Sequence, residues 1–349
     1  MDKPSYIRNF GMKAWVILVE LLLLVSCDNA IYDDEGDCSV TYHLKFRYDM
    51  NMKFADAFTH EVKSVRLYAF NSNGELVWQA DEQGEILASG DYTMKLELAP
   101  GDYHLMAWCG LDNGESFTVT DASHNCRMTD LHCKLNRYLD KATGVSYSNK
   151  DLHPLFHGSL DVSLPANDDG GDYTYVMPLT KDTNVFRVVL QHLSGQDINV
   201  DDFTFSIEDR NGWIALKEDE PIVYRTWSTY SGEAGVDIAT GKESRVTTIV
   251  KVAVAELTVS RLVLRDWSLY SRPMLIIRTT EGKLVASIPI IDYALLVKGN
   301  YNRKMSDQEY LDRQDEYNMT FFLDEQNQWI NSVILINSWR VVLSNVDVD

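Results

Sequence analysis

Val40-Thr41-Tyr42-His43-Leu44-Lys45-Phe46-Arg47-Tyr48 alternates without a break: Val40, Tyr42, Leu44, Phe46 and Tyr48 take one parity, and Thr41, His43, Lys45 and Arg47 the other. Successive strand side chains point to opposite faces, so one face of this segment belongs in a core and the other in water. The pattern recurs on both sides of two turn signals. Val65, Leu67 and Ala69 precede Asn71-Ser72-Asn73-Gly74, and Leu76-Val77-Trp78 follows it. Tyr92, Met94, Leu96 and Leu98 precede Pro100-Gly101, and Tyr103, Leu105, Ala107 and Cys109 return. Short alternating strands between turn residues predict half-buried antiparallel sheets, hence an all-β sandwich architecture.

Further along, Tyr173–Leu179 and Val185–Leu190 flank the polar Thr180-Lys181-Asp182. The β theme continues in Phe203–Ile207, Val246–Val254, Met274–Arg278, Leu284–Ile291, Tyr317–Leu323 and Val333–Ile336. One helix interrupts it. Ser306-Asp307-Gln308-Glu309 has the spacing of an N-terminal cap and leads into a helix near residues 306–316. The roughly 320 residues after the leader exceed one comfortable core, so two domains are expected, 38–180 and 181–349.

The leader comprises residues 1–26. Lys3, Arg8 and Lys13 precede an apolar run from Ala14 to Val25, and Ser26 stands before Cys27. This is the charged region, apolar region and small-residue cleavage site of an export signal. Met12-Lys13 has the form of the natural start. Leu24-Val25-Ser26-Cys27 fits a lipobox, which predicts acylation of Cys27 and cleavage before it. The run is shorter than the about 20 apolar residues a spanning helix needs, and Glu20 interrupts it. Two or three acyl chains, at about 0.8 kcal/mol per buried methylene, would anchor the chain stably. Residues 27–37 then form an acidic linker containing Asp28, Asp33, Asp34, Glu35 and Asp37.

The net charge of −20 argues against nucleic acid or an anionic lipid surface as partner, because both need a positive field. Once Cys27 is acylated, Cys38, Cys109, Cys126 and Cys133 remain, an even number in an exported chain. We expect disulfides, with Cys38–Cys109 and Cys126–Cys133 favoured among three connectivities.

Catalytic material is sparse. There is no phosphate-binding Gly-rich loop, His-Glu-x-x-His or Gly-x-Ser-x-Gly, so neither an enzyme nor a cofactor is expected. His124, Cys126, His132 and Cys133 could compose a zinc set, but the exported context favours a disulfide among surface histidines. Pro154 breaks the helical geometry that would join His153 to His157. Asp168-Asp169-Gly170-Gly171-Asp172 lacks the spacing of a calcium loop. No metal site is therefore expected. Asp201-Asp202 and Glu218-Asp219 are ordinary pairs in so acidic a chain. Of the eight Trp residues, Trp108 and Trp339 sit in apolar strand patterns and read as core.

Several stretches together resemble the fimbrillin-A-associated anchor family, the lipidated base subunits of Bacteroidales-type (type V) fimbriae. They are Phe46–Phe58, Val65–Phe70, Pro100–Gly110, Leu155–Gly158, Gln308–Tyr317 and Ile336–Arg340. The resemblance implies two transthyretin-like β-sandwich domains and outer-membrane attachment through Cys27. It also implies a partner, the fimbrial stalk subunit, which donates a strand to an open groove, and no small-molecule substrate. The acidic stretch after Cys27 resembles the surface-export signal of Bacteroidetes lipoproteins. The alternative is a surface glycan-binding lipoprotein, which would show coplanar exposed Trp and Tyr side chains on one face.

Overall fold

The computed structural model describes residues 40–111, 114–119, 126–166, 170–210, 213–214, 221–239, 245–299 and 302–342. The alternation at 40–48 forms strand β1 (Val40–Arg47), with Tyr42, Leu44 and Phe46 buried. The strands that follow are β2 (Ser64–Asn71), β3 (Leu76–Gln83), β4 (Met94–Lys95), β5 (Gly101–Cys109), β6 (Phe117–Val119) and β7 (Cys133–Leu135). Next come β8 (Tyr138–Leu139), β9 (Ser146–Ser148), β10 (Phe156–Leu164) and β11 (Gly171–Lys181). Between β2 and β3 the side-chain oxygen of Asn71 accepts from the N–H groups of Asn73 and Glu75. Gly74 adopts φ +73° there, a conformation that favours glycine.

Seven of these strands form one sheet in the order β3-β2-β5-β10-β11-β1-β4. Strands β10 and β11 pair only where Phe156, His157 and Gly158 meet Lys181, Thr180 and Leu179. Beyond that point β11 stays with β1 from Gly171 to Pro178, while β10 stays with β5. The sheet splits there into two leaves that close on a shared core. Leu44 and Phe46 of β1 face Leu67 and Ala69 of β2 and Leu105 and Ala107 of β5. Gly158 sits at the division, where an added Cβ would lie 2.7 Å from Met177 and 2.8 Å from Leu179.

The second half contains β12 (Thr183–His192), β13 (Phe203–Asp209), β14 (Trp213–Ile214), β15 (Ile222–Arg225), β16 (Ser228–Ala239) and β17 (Arg245–Ser260). It continues with β18 (Met274–Thr279), β19 (Leu284–Pro289), β20 (Glu316–Leu323), β21 (Trp329–Ile336) and β22 (Trp339–Val342). Ten of them, joined by β8 and β9, build two six-stranded sheets, β16-β17-β12-β20-β21-β22 and β19-β18-β13-β15-β9-β8, while β14 joins β7 and β6 in a small third sheet. Phe186, Val188 and Leu257 of the first sheet share one core with Phe205, Tyr224 and Ile277 of the second. Three helices are described: α1 (Phe58–Glu61), α2 (Ile290–Leu296) and α3 (Asp307–Arg313). Helix α3 is the one expected near 306–316, and the Ser306 hydroxyl accepts from the Glu309 N–H as its cap.

The architecture is all-β, and most pairs are antiparallel. Among the described residues three are parallel: β1 with β11, β12 with β20, and β9 with β15. Alternation fixes which residues face the core but is blind to strand direction, so sequence alone missed them. Strands β8 and β9 complete a sheet of the second half, and β7 pairs with β14. The segment expected wholly within 38–180 thus also supplies strands to the later half.

Two expectations are corrected. Cys109 and Cys133 are unbridged thiols, so neither the Cys38–Cys109 nor the Cys126–Cys133 bridge is formed. Both side chains are fully buried, Cys109 in the first core and Cys133 in the second, where sulfur packs as a small apolar group. Trp108 is core, but Trp339 is 61% exposed on the edge strand β22. An apolar strand pattern does not reveal which strands end a sheet.

Candidate functional site

A folded open sheet leaves two edges, and here both border the same space. Strands β3 and β4 end the seven-stranded sheet, and together they line a groove of about 550 Å³. One wall is β3, on which Trp78 and Ala80 turn toward the first core while Gln79 and Asp81 are exposed. The other wall is the segment 91–97, with Tyr92, Met94 and Leu96 buried and Lys95 and Glu97 exposed. Each wall therefore offers inward apolar side chains and a main-chain edge that no strand among the described residues pairs with. Ile86 and Ser89, from the 3-10 turn Glu85–Ala88 and the residues after it, close one end. Ile86 is 53% exposed there, an apolar side chain left uncovered.

The backbone of both walls is under-used. Segment 92–98 was expected to be a full strand, yet only Met94 and Lys95 are laddered, against Leu44 and His43 of β1. One more bond follows, from Leu96 N–H to the Tyr42 carbonyl. On β3 the start is held by Leu76 N–H donating to the Cys126 carbonyl. Among the described residues no strand pairs with the outer edge of β3 beyond that point. Eight residues at about 3.3 Å each make this edge about 26 Å long. Such an edge is a template for another strand, and a liability if left bare.

Charge marks the groove as well. Asp81, Glu82, Asp91 and Glu97 line it, with Lys95 as their single cation among the described residues. Asp81 accepts from Arg66 Nε at 2.6 Å. Tyr92 is buried beside the groove, its ring stacked on Phe58 at 6.3 Å, and its hydroxyl has no hydrogen-bond partner among the described residues. Burial chiefly, with the nearby Glu82 charge, pushes that phenol well above its ordinary range. It remains a protonated, unsatisfied hydroxyl.

The residues singled out in the sequence do not gather here. Cys27, Cys38, His124, Asp168, Asp169, Glu218 and Asp219 lie outside the described residues. His157 Nδ1 pairs with the buried Asp182 at 2.8 Å, at the junction of the two halves. The His153 N–H donates to Ser116 Oγ, and Asp172 accepts from Thr41 across the β1–β11 pair. Asp201 and Asp202 close a 3-10 turn with Asn199. Among the described residues no three His, Cys, Asp or Glu side chains converge to hold a metal ion. Nor is any described helix long and apolar enough to cross a membrane. The groove walls were legible as strands; that they are sheet edges facing each other was not.

The junction itself is polar. Lys181 Nζ reaches Glu61 at 3.1 Å and Asp315 at 2.6 Å, linking the halves. Arg313, at the end of α3, donates to the Asp49 carbonyl at 2.8 Å and lies over the Phe54 ring. Asp312 on the same helix takes both Arg261 bonds at 2.7 Å.

Comparison with known proteins adds the following. Residues 34–345 match the family model described as fimbrillin-A associated anchor proteins Mfa1 and Mfa2. A candidate adhesin from Bacteroides thetaiotaomicron is 34% identical, with a TM-score of 0.75 over 89% of this chain and 100% of its own. A candidate polysaccharide-binding protein from the same organism is 28% identical, with a TM-score of 0.71 over 88% and 99%. The fimbrial anchor protein Mfa2 from Porphyromonas gingivalis shares the fold at 14% identity, with a TM-score of 0.61 over 88% and 100%. No curated protein matches the sequence.

Proposed function

The chain belongs to the family of fimbrillin-A associated anchor proteins, and from that membership we propose that it is the lipidated base subunit of a fimbria. In this reading acyl chains on Cys27 hold it in the outer membrane, facing outward. A stalk subunit is joined by a strand laid into the groove between β3 and β4. Main-chain bonds along the two free edges supply affinity, and the alternate pockets at Trp78, Ala80, Tyr92 and Met94 supply register.

One observation carries the joining step: both free edges of the first sheet border a single groove. The lipobox Leu24–Cys27 supports the membrane step. A base subunit must keep its N-terminus, because cutting beyond Cys27 would release it.

A glycan-binding reading draws on the relative described as a candidate polysaccharide-binding protein. Trp227 and Tyr230 stand at or beside β16, whereas Trp339 is on β22. These are opposite edges of one six-stranded sheet, so they form no shared stacking platform. The anchor reading is favoured.

Pull-down from crosslinked cells tests it. The membrane fraction is expected to yield the protein with a fimbrial stalk subunit, and Cys27→Ala should move the protein to the soluble fraction. Unchanged membrane retention, or recovery of glycan-uptake proteins alone, would contradict it.

A further inference from the structure

The groove is not neutral toward what could fill it. Asp81 is already neutralised by Arg66 at 2.6 Å. Glu82, Asp91 and Glu97 have no cationic side chain within ion-pair distance among the described residues, and Lys95 is the only cation in the lining. Two of these carboxylates, Glu82 and Asp91, stand on opposite walls next to the closed end.

We infer that the groove selects a basic donor: an extended segment of the neighbouring subunit, apolar at alternate positions, carrying Lys or Arg where it reaches Glu82 and Asp91. This rests on the strand-acceptor reading above and specifies its partner. A lysine ammonium or arginine guanidinium supplies several N–H donors and a positive charge, enough to engage the Glu82 and Asp91 carboxylates. Opposite charges placed across a strand pair favour pairing, and like charges oppose it.

The same physics rejects the nearest alternative occupant, the chain's own leader-proximal segment. β1 begins at Val40, and the register Leu44–Met94, His43–Lys95 runs on toward Leu98. Val40, where the described chain begins, therefore stands beside the open end of the groove. Residues 28–37 carry Asp28, Asp33, Asp34, Glu35 and Asp37 and no Lys or Arg. Inserting them would set carboxylate against carboxylate.

The test uses the whole chain made lipid-free by Cys27→Ala, and two labelled ten-residue probes. Both alternate Val and Thr; one carries two Lys at one end, the other two Glu. Fluorescence anisotropy at low salt should show the Lys peptide binding about tenfold tighter, a preference that shrinks at high salt as screening sets in. Glu82→Gln should cut the preference several-fold. Hydrogen exchange with the Lys peptide should slow at 77–83 and 92–97 and nowhere in the second half. Equal affinities, or a preference indifferent to both salt and Glu82→Gln, would overturn the charge selection while leaving strand capture standing. Binding of neither peptide, or protection elsewhere, would overturn the inference itself. The cell pull-down decides the anchor role independently.

Discussion

Asp182 lies between the last strand of the first sheet and the first strand of the second half. Its main chain is pinned on both sides, its N–H donating to the Leu155 carbonyl and its own carbonyl accepting from Arg261. Its carboxylate faces His157. Burial disfavours the charged imidazole, but the Asp182 charge and hydrogen bond outweigh it, and the His157 pKa is raised from 6.5. A raised value means the folded state holds the proton more tightly than the unfolded one. The pair's stabilisation is therefore complete below pH 6.5 and fades as pH climbs through the folded-state value. Asp182→Asn should cost about 2 kcal/mol at pH 5.5, less than the ~3–5 kcal/mol of a fully buried pair because the imidazole is partly exposed. Denaturant unfolding should show that deficit shrinking by pH 8.5; a deficit independent of pH would contradict the assignment. The cysteines make a second residue-scale case. Burial pushes the Cys109 and Cys133 thiols far above their ordinary value, so almost no thiolate is present at pH 8. Iodoacetamide should leave both unmodified in the native protein and label both after unfolding without reductant. A bridged peptide in non-reducing mass mapping would refute the unbridged state.

At the scale of elements, much was readable because each signal was local. Ser306 with Glu309 three residues on announced α3, and the cap bond is present at 3.0 Å. Ser306→Ala should lower stability by about 1 kcal/mol, with Ser306→Asp restoring most of it, both read from denaturant midpoints. Helix α3 is more than a connector, because Arg313, Asp312 and Gln308 tie it to the first half, to Arg261 and to the Leu262–Leu264 backbone. Asn71-Ser72-Asn73-Gly74 likewise gave the β2–β3 turn, through glycine at positive φ and asparagine accepting from the backbone. Partnership between strands was not legible. The stretch at 40–48 shows which side chains face inward, yet nothing in it says that β1 lies parallel to a strand more than a hundred residues away. For the same reason 92–98 read as a full strand although two of its residues are laddered. Edge status depends on the whole sheet, and the groove is made of edges. Its one local trace is the run of acidic residues on both walls.

For the whole molecule, the two halves divide the labour. The later half, with two sheets and the larger core, also covers the outer face of β2 and β5, where Tyr68, Phe70 and Trp108 join its core. The first half keeps the open sheet, and the chain enters it at Val40 near the mouth of the groove. The groove and the first described strand thus belong to one module, and the junction of Lys181, Asp182 and Arg313 holds the other against it. Family membership places the protein at the fimbrial surface of the cell; the claim that most needs testing is where the fibre is gripped. Site-specific photo-crosslinking in living cells addresses it directly. A photoreactive residue at Gln79 on the free edge of β3 should trap an extended segment of a fimbrial subunit, whereas the same residue at exposed Leu193 in the second half should trap none. An empty result at Gln79, with the fimbrial subunit captured instead at Leu193, would contradict the account.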